Sequence, residues 1–157
     1  MKAALGLGTN LGNRLLNLRA AVRYLRENMN VIAKSDVFET EPWGVTDQPR
    51  FLNACVLAEP LCGKPFDPEN LLSILKAIEK RMGRTNTRRW GERVIDIDIL
   101  LIDDLVYKSE ILTIPHPYMR ERQFVLTPLS QILPEWKDVG EYTKGERIGS
   151  PLRICHL

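Results

Sequence analysis

Leu11, Leu15, Leu18, Val22 and Leu25 recur at spacings of four, three, four and three residues, the period of an amphipathic helix. Asn10 or Asn13 stands where a side-chain cap is needed. Ahead of it, residues 2–7 form a short apolar run that ends at Gly8 and reads as a strand. Val31 to Phe38 is β-branched and aromatic and predicts a second strand. Residues 40–49, with Pro42, Gly44 and Pro49, predict a loop, and Phe51 to Glu59 a third strand. Asp67-Pro68 has the form of a helix start, with Leu71, Leu75, Ile78 and Met82 on the inner face and Gly83 at the end. Val94 to Ile102 predicts a fourth strand. A small hairpin follows at 106–107 and 111–113, then a short helix over 127–133 before Pro134.

The order is βαββαβ with a C-terminal extension, which predicts an α+β ferredoxin-like sandwich. Its antiparallel sheet should run fourth, first, third, second strand. The end of the first strand (Gly8–Asn10) then lies beside the starts of the third (Phe51, Asn53) and the fourth (Asp96, Asp98). The loops 40–49 and 84–93 lead into the same place. At 157 residues the chain has the length of one domain, residues 1–157.

Strand alternation puts Asp96 and Asp98 on one face and Ile95, Ile97, Ile99 and Leu101 on the other, while Leu100 and Ile102 continue the acidic face as apolar. Two carboxylates held close need counter-charge, and hard oxygen donors without nearby His or Cys point to Mg²⁺. The bland alternative is a solvated face. Just upstream, Lys80, Arg81, Arg84, Arg88, Arg89 and Arg93 face only Glu92, a local charge of +5 in a chain of net +2. Arginines recognise phosphate oxygens, and Gly83 and Gly91 permit a moving lid. A basic loop feeding an acid pair supplies both partners that a metal-bound triphosphate needs. Gly6-x-Gly8 does not fit a dinucleotide fingerprint and reads as close backbone packing near the site. Trp43, Phe51, Trp90 and Phe124 are candidates for stacking a flat ring, and Asn53 offers donor and acceptor to a heteroaromatic edge. His116, between Pro115 and Pro117 and followed by Arg120 and Arg122, is placed to donate to phosphate oxygens or a leaving group.

The composition narrows the classes. A chain 44% hydrophobic and 27% charged is ordinary for a globular protein, and no run of about 18 apolar residues predicts a membrane span. The N-terminus lacks a signal-peptide pattern. Cys55, Cys62 and Cys155 are odd in number and fit no metal spacing, so a reducing compartment, the cytoplasm, is expected, with Cys155-His156 a surface tail. The small net charge argues against nucleic-acid or membrane partners, and a monomer is expected.

Gly8-Thr9-Asn10-Leu11-Gly12, Phe51-Leu52-Asn53, Arg89-Trp90-Gly91-x-Arg93-x-Ile95-Asp96-Ile97-Asp98-Ile99 and Pro115-His116-x-x-Met119-x-x-Arg122-x-Phe124-Val125-Leu126-x-Pro128-Leu129 occur in order. In this the chain resembles the 6-hydroxymethyl-7,8-dihydropterin pyrophosphokinases. The resemblance implies pyrophosphoryl transfer from ATP to the pterin hydroxymethyl group with release of AMP. It implies two Mg²⁺ on Asp96 and Asp98, and Arg84 and Arg93 as catalytic-loop residues that also bind ATP. Thr40, Glu41, Pro42, Trp43, Phe51, Asn53, Trp90 and Phe124 would bind the pterin, and Glu79, Ile99, His116 and Arg122 the ATP. The chain departs from the common pattern at Asn86, Glu92, Pro117 and Phe51. No residue is an evident general base. Two rival classes share the element order or the residues. One is an RNA-binding module, for which the RNP1 pattern is absent. The other is a single-phosphate kinase, which would release ADP rather than AMP.

Overall fold

A computed structural model describes residues 1–42, 44–85, 91–137 and 152–157. Strand β1 (Ala3–Thr9) lies inside an antiparallel sheet, between β5 (Asp96–Ile102) and β4 (Phe51–Pro60). Beyond β4 come β2 (Met29–Lys34) and β3 (Asp36–Thr40), both paired with it, and β3 carries β8 (Leu152–His156) on its other side. The order expected from the sequence is therefore present, in a ferredoxin-like α+β arrangement. Helices α1 (Arg14–Arg26) and α2 (Pro68–Arg81) start on Asn13 and Asp67, whose side chains accept the N–H groups of Leu16 and Asn70. Their inner residues Leu18, Leu25, Leu71 and Leu75 are buried against Leu5, Leu7, Ile97 and Ile99.

The expected second strand is two strands, broken at Ser35. The buried Ser35 hydroxyl accepts the Cys55 N–H at 2.8 Å and donates to the Asp36 carbonyl at 2.7 Å, so a side chain replaces a ladder acceptor. In β5, the register against β1 shifts between Ala4 and Leu5, and Leu100 is the extra residue. The faces exchange there. Leu100 continues the acidic face as expected, but Leu101 joins it, and Ile102 turns to the helices α1 and α2.

On that second face, helix α3 (Gln123–Ile132) packs Val125 and Leu129 over Ala4, Cys55, Leu57 and Leu100. It begins four residues before the expected Thr127. Pro128 sits in its sixth position, where the missing N–H leaves the Phe124 carbonyl without its helical donor. Strands β6 (Tyr107–Lys108) and β7 (Thr113–Ile114) form the small hairpin. The Cys155-His156 tail is an edge strand rather than a loose end. Asp36 accepts from Arg153 and Gln131 and meets His156 Nδ1 at 3.0 Å, and Leu157 is buried in the core. No helix among the described residues is long and apolar enough to cross a membrane.

Candidate active site

The sheet register builds the site. Gly8 of β1 pairs with Asn53 on one side and Asp96 on the other, and Gly6 pairs with Cys55 and Asp98. Residues paired across antiparallel strands share a face, so the acid pair and Asn53 look out on the same side with only glycines between them. A Cβ on Gly8 would approach Asn53 Oδ1 to 3.2 Å and fill the trough. Helix α3 and the turn before it wall this face, leaving a cavity of about 340 Å³. Lys76, Arg84, Arg93 and Arg122 supply positive charge to its lining, and Glu41, Asp96 and Asp98 negative charge.

Among the described residues, two cations hold Asp96. Arg84 Nη1 donates to Oδ1 at 2.5 Å and Arg93 Nη1 to Oδ2 at 2.6 Å. Burial disfavours its charge, but Arg93 and Arg84 outweigh burial and hold its carboxyl below the usual range. Burial together with the neighbouring Asp96 charge pushes Asp98 up to about 7, against the pull of Lys76. This difference makes stability depend on pH. A native pKa above the unfolded value of about 4 means that the native state binds the extra proton. Asp98 therefore stabilises the ligand-free protein below about pH 4, and that contribution is lost as pH rises through about 7. Asp98→Asn should raise the stability of the ligand-free protein at pH 8 by on the order of 2 kcal/mol and not at pH 4. Thermal melts at the two pH values check this, and equal shifts at both would refute it.

Asn53, 7% exposed, donates through Nδ2 to Thr40 Oγ1 at 2.6 Å, which fixes the amide with its oxygen over Gly8. Phe51 and Phe124 also line the cavity, with the Arg93 guanidinium 5.9 Å from the Phe51 ring and that of Arg122 5.7 Å from the Phe124 ring. Glu41 is anchored by Arg50 at 2.5 Å. His116 is kept neutral by burial and by Arg122, with its pKa lowered to about 4. Its Nδ1 accepts the Tyr118 N–H at 3.3 Å, so the neutral ring carries its proton on Nε2 as a donor. Of the two arginines after it, Arg122 is buried and lines the cavity, whereas Arg120 is exposed beside Trp136.

The structure thus brings together Thr40, Glu41, Phe51, Asn53, Arg84, Arg93, Asp96, Asp98, His116, Arg122 and Phe124. It places three other candidates elsewhere. Pro42 is buried outside the cavity lining. Glu79 is buried behind the acid pair, where it accepts the Ile97 N–H at 2.7 Å and pairs with Arg84 and Lys76. The Ile99 side chain is in the core between sheet and helices. The Ile97 N–H points away from β1, so alternation turns the Ile99 main chain to the same outer edge of β5. Trp43, Trp90, Asn86, Arg88 and Arg89, with half of the expected 84–93 lid, lie outside the described residues. Lys76 is a cavity residue that the pattern did not single out. Its signal was its position three residues before Glu79 on one helix face.

Two carboxylates with hard oxygens, one of them ionising only near neutrality, fit a divalent cation that arrives with phosphate oxygens. Among the described residues, no group of three or more acidic, His or Cys side chains forms a complete protein cage.

Fold and trough together define a ferredoxin-like α+β protein with a cleft that pairs an acid couple with a cationic wall. The 7,8-dihydro-6-hydroxymethylpterin-pyrophosphokinase (HPPK) family model matches residues 4–134, and the chain belongs to that family. A 2-amino-4-hydroxy-6-hydroxymethyldihydropteridine pyrophosphokinase of Methylorubrum extorquens is 42% identical over 142 residues, 89% of this chain and 87% of that one. The enzyme of the same name from Aquifex aeolicus is 38% identical, over 83% of this chain and 79% of that one. A mitochondrial folate synthesis bifunctional protein of Pisum sativum is 43% identical over 84% of this chain, which spans only 25% of its length. Among solved structures, the Plasmodium falciparum HPPK-DHPS crystal structure superposes with a TM-score of 0.63 at 19% identity, a likeness of fold. It covers 90% of this chain, which spans 42% of that one.

Proposed function

We propose that this chain, as one catalytic domain over residues 1–157, transfers the pyrophosphoryl group of ATP to 6-hydroxymethyl-7,8-dihydropterin in folate biosynthesis, releasing AMP. The observation that carries this reading is the register Asn53–Gly8–Asp96, which sets a ring-reading amide and a phosphate-handling cluster on one trough. In the reaction the hydroxymethyl oxygen forms a bond to the β-phosphorus. The bond from that phosphorus to the oxygen of the α-phosphate breaks, AMP leaves with that oxygen, and the hydroxyl proton is lost.

Asn53 and Thr40 orient the pterin edge, with Phe51 and Phe124 against its faces. Glu41 lies on that side, the reading adds Trp43 and Trp90 to it, and Pro42 shapes the loop from outside the cavity lining. Arg84 and Arg93 exchange Asp96 for phosphate oxygens when the nucleotide enters, joined by Arg122 and Lys76. Neutral His116 donates its Nε2 proton toward the phosphates, and the Ile99 main chain meets the adenine edge. Glu79 acts through Arg84 and Ile97 rather than by touching ATP. Asp96 and Asp98 would hold two Mg²⁺, which when bound neutralise phosphate charge and lower the acidity barrier of the attacking hydroxyl. The reading further takes the protein as a cytoplasmic monomer without nucleic-acid or membrane partners.

Product analysis tests the reaction, since AMP supports it and ADP would show a single-phosphate kinase. Asn53→Ala tests the trough. It should weaken pterin binding by about 1–3 kcal/mol through unpaired polar groups while leaving ATP affinity nearly unchanged. Titration calorimetry with each ligand measures both, and equal losses would make Asn53 structural.

A further inference from the structure

Asn10 follows Gly8 by two residues and is only 2% exposed, yet it is not among the residues that line the cavity. Both ends of its amide are used. Nδ2 donates to Gln48 Oε1 at 2.9 Å and to the Pro49 carbonyl at 3.0 Å. Oδ1 accepts the main-chain N–H of Arg93 at 2.9 Å, and the Asn10 N–H donates to the Arg93 carbonyl at 3.1 Å. Asn17 fastens the turn beneath it through the Leu11 carbonyl at 2.8 Å. The two segments so joined have different duties. Gln48 and Pro49 lead into Phe51 and Asn53, whereas Arg93 holds Asp96. We infer that Asn10 is a positioning residue that couples the pterin-facing segment to the phosphate-facing segment, and the inference rests on the reaction proposed above. An amide of this length is suited to the task because it donates twice and accepts at once, which neither Asp nor Ala does. A ligand that orders one segment then leaves less ordering for the other ligand to do, and such coupling is reciprocal.

Calorimetry of 6-hydroxymethyl-7,8-dihydropterin, with and without Mg²⁺ and the α,β-methylene analogue of ATP, measures the coupling as a ratio of two dissociation constants. In the parent protein the nucleotide should tighten pterin binding by about tenfold. In Asn10→Ala the ratio should fall to within about twofold of unity. Asn10→Asp keeps an acceptor for Arg93 but no donor for Gln48 or Pro49, is nearly isosteric, and should lose the coupling as well. Gln48→Ala leaves the Pro49 and Arg93 bonds in place and should keep most of it. A general loss of stability would not move this ratio, which is why it is the readout. A parent ratio of one, or Asn10→Asp folded by circular dichroism with the parent ratio, overturns the inference. A parent protein that makes no AMP overturns the underlying reaction instead.

Discussion

Asp96→Asn and Asp98→Asn should each lower turnover by about a thousandfold or more, because each removes a charged oxygen donor from the cluster proposed to handle the phosphates. Both substitutions are isosteric, and circular dichroism should show the native fold. Their stabilities should separate. Asp98→Asn removes a carboxylate whose charge is opposed by desolvation and by Asp96. Asp96→Asn strips the counter-charge from Arg84 and Arg93, leaving Arg84 with Glu79 as its ion-pair partner among the described residues. The expected picture is two inactive variants on opposite sides of the parent in a melt at pH 8. AMP release at saturating substrates and thermal unfolding measure the two quantities. Near-parental turnover in either variant would remove the acid pair from the chemistry.

The sheet order was legible because period alone distinguishes its elements, and because alternation puts Asp96 and Asp98 on one face wherever the strand is regular. From that order follows the meeting of Gly8, Asn53 and Asp96, which is the centre of the site. The departures share a cause. Ser35 breaks a strand by using its hydroxyl as a ladder acceptor, and the extra residue Leu100 reverses the faces of β5 beyond it. Both depend on what lies across the sheet, which a local pattern does not contain. The same holds for β8, whose place is set by Asp36, more than a hundred residues away in the chain. Among the candidate residues, the resemblance named Glu79 and Ile99 but said nothing of their surroundings. In the fold Glu79 lies behind the acid pair, and the Ile99 side chain is buried in the core. Asn10 had the look of a helix cap. Asn13 holds that role, and Asn10 is free to bind two loops.

Glu79→Ala should cost about 3–5 kcal/mol of stability, the range seen when one partner of a buried charged pair is removed. Glu79 is 3% exposed. Its Oε1 accepts the Ile97 N–H at 2.7 Å and lies 2.7 Å from Arg84 Nη1, and its Oε2 lies 3.0 Å from Lys76 Nζ. Alanine leaves the Ile97 N–H buried without an acceptor, between the two strand residues that carry the acid pair. It also removes the Glu79 carboxylate that pairs with Arg84 beside Asp96. For a chain of this length the melting temperature should fall on the order of 10 °C. Burial raises the Glu79 pKa, so its charge is maintained at a cost, and Glu79→Gln, which keeps an acceptor for Ile97, should lose much less. The two variants separate the backbone bond from the charge. Arg84 and Lys76 lose an ionic partner in both, so KM for ATP should change in both. Thermal melts with steady-state kinetics measure each effect. An alanine variant within about 1 kcal/mol of the parent would show that the Ile97 N–H finds another acceptor, and that Glu79 does not hold β5 in place.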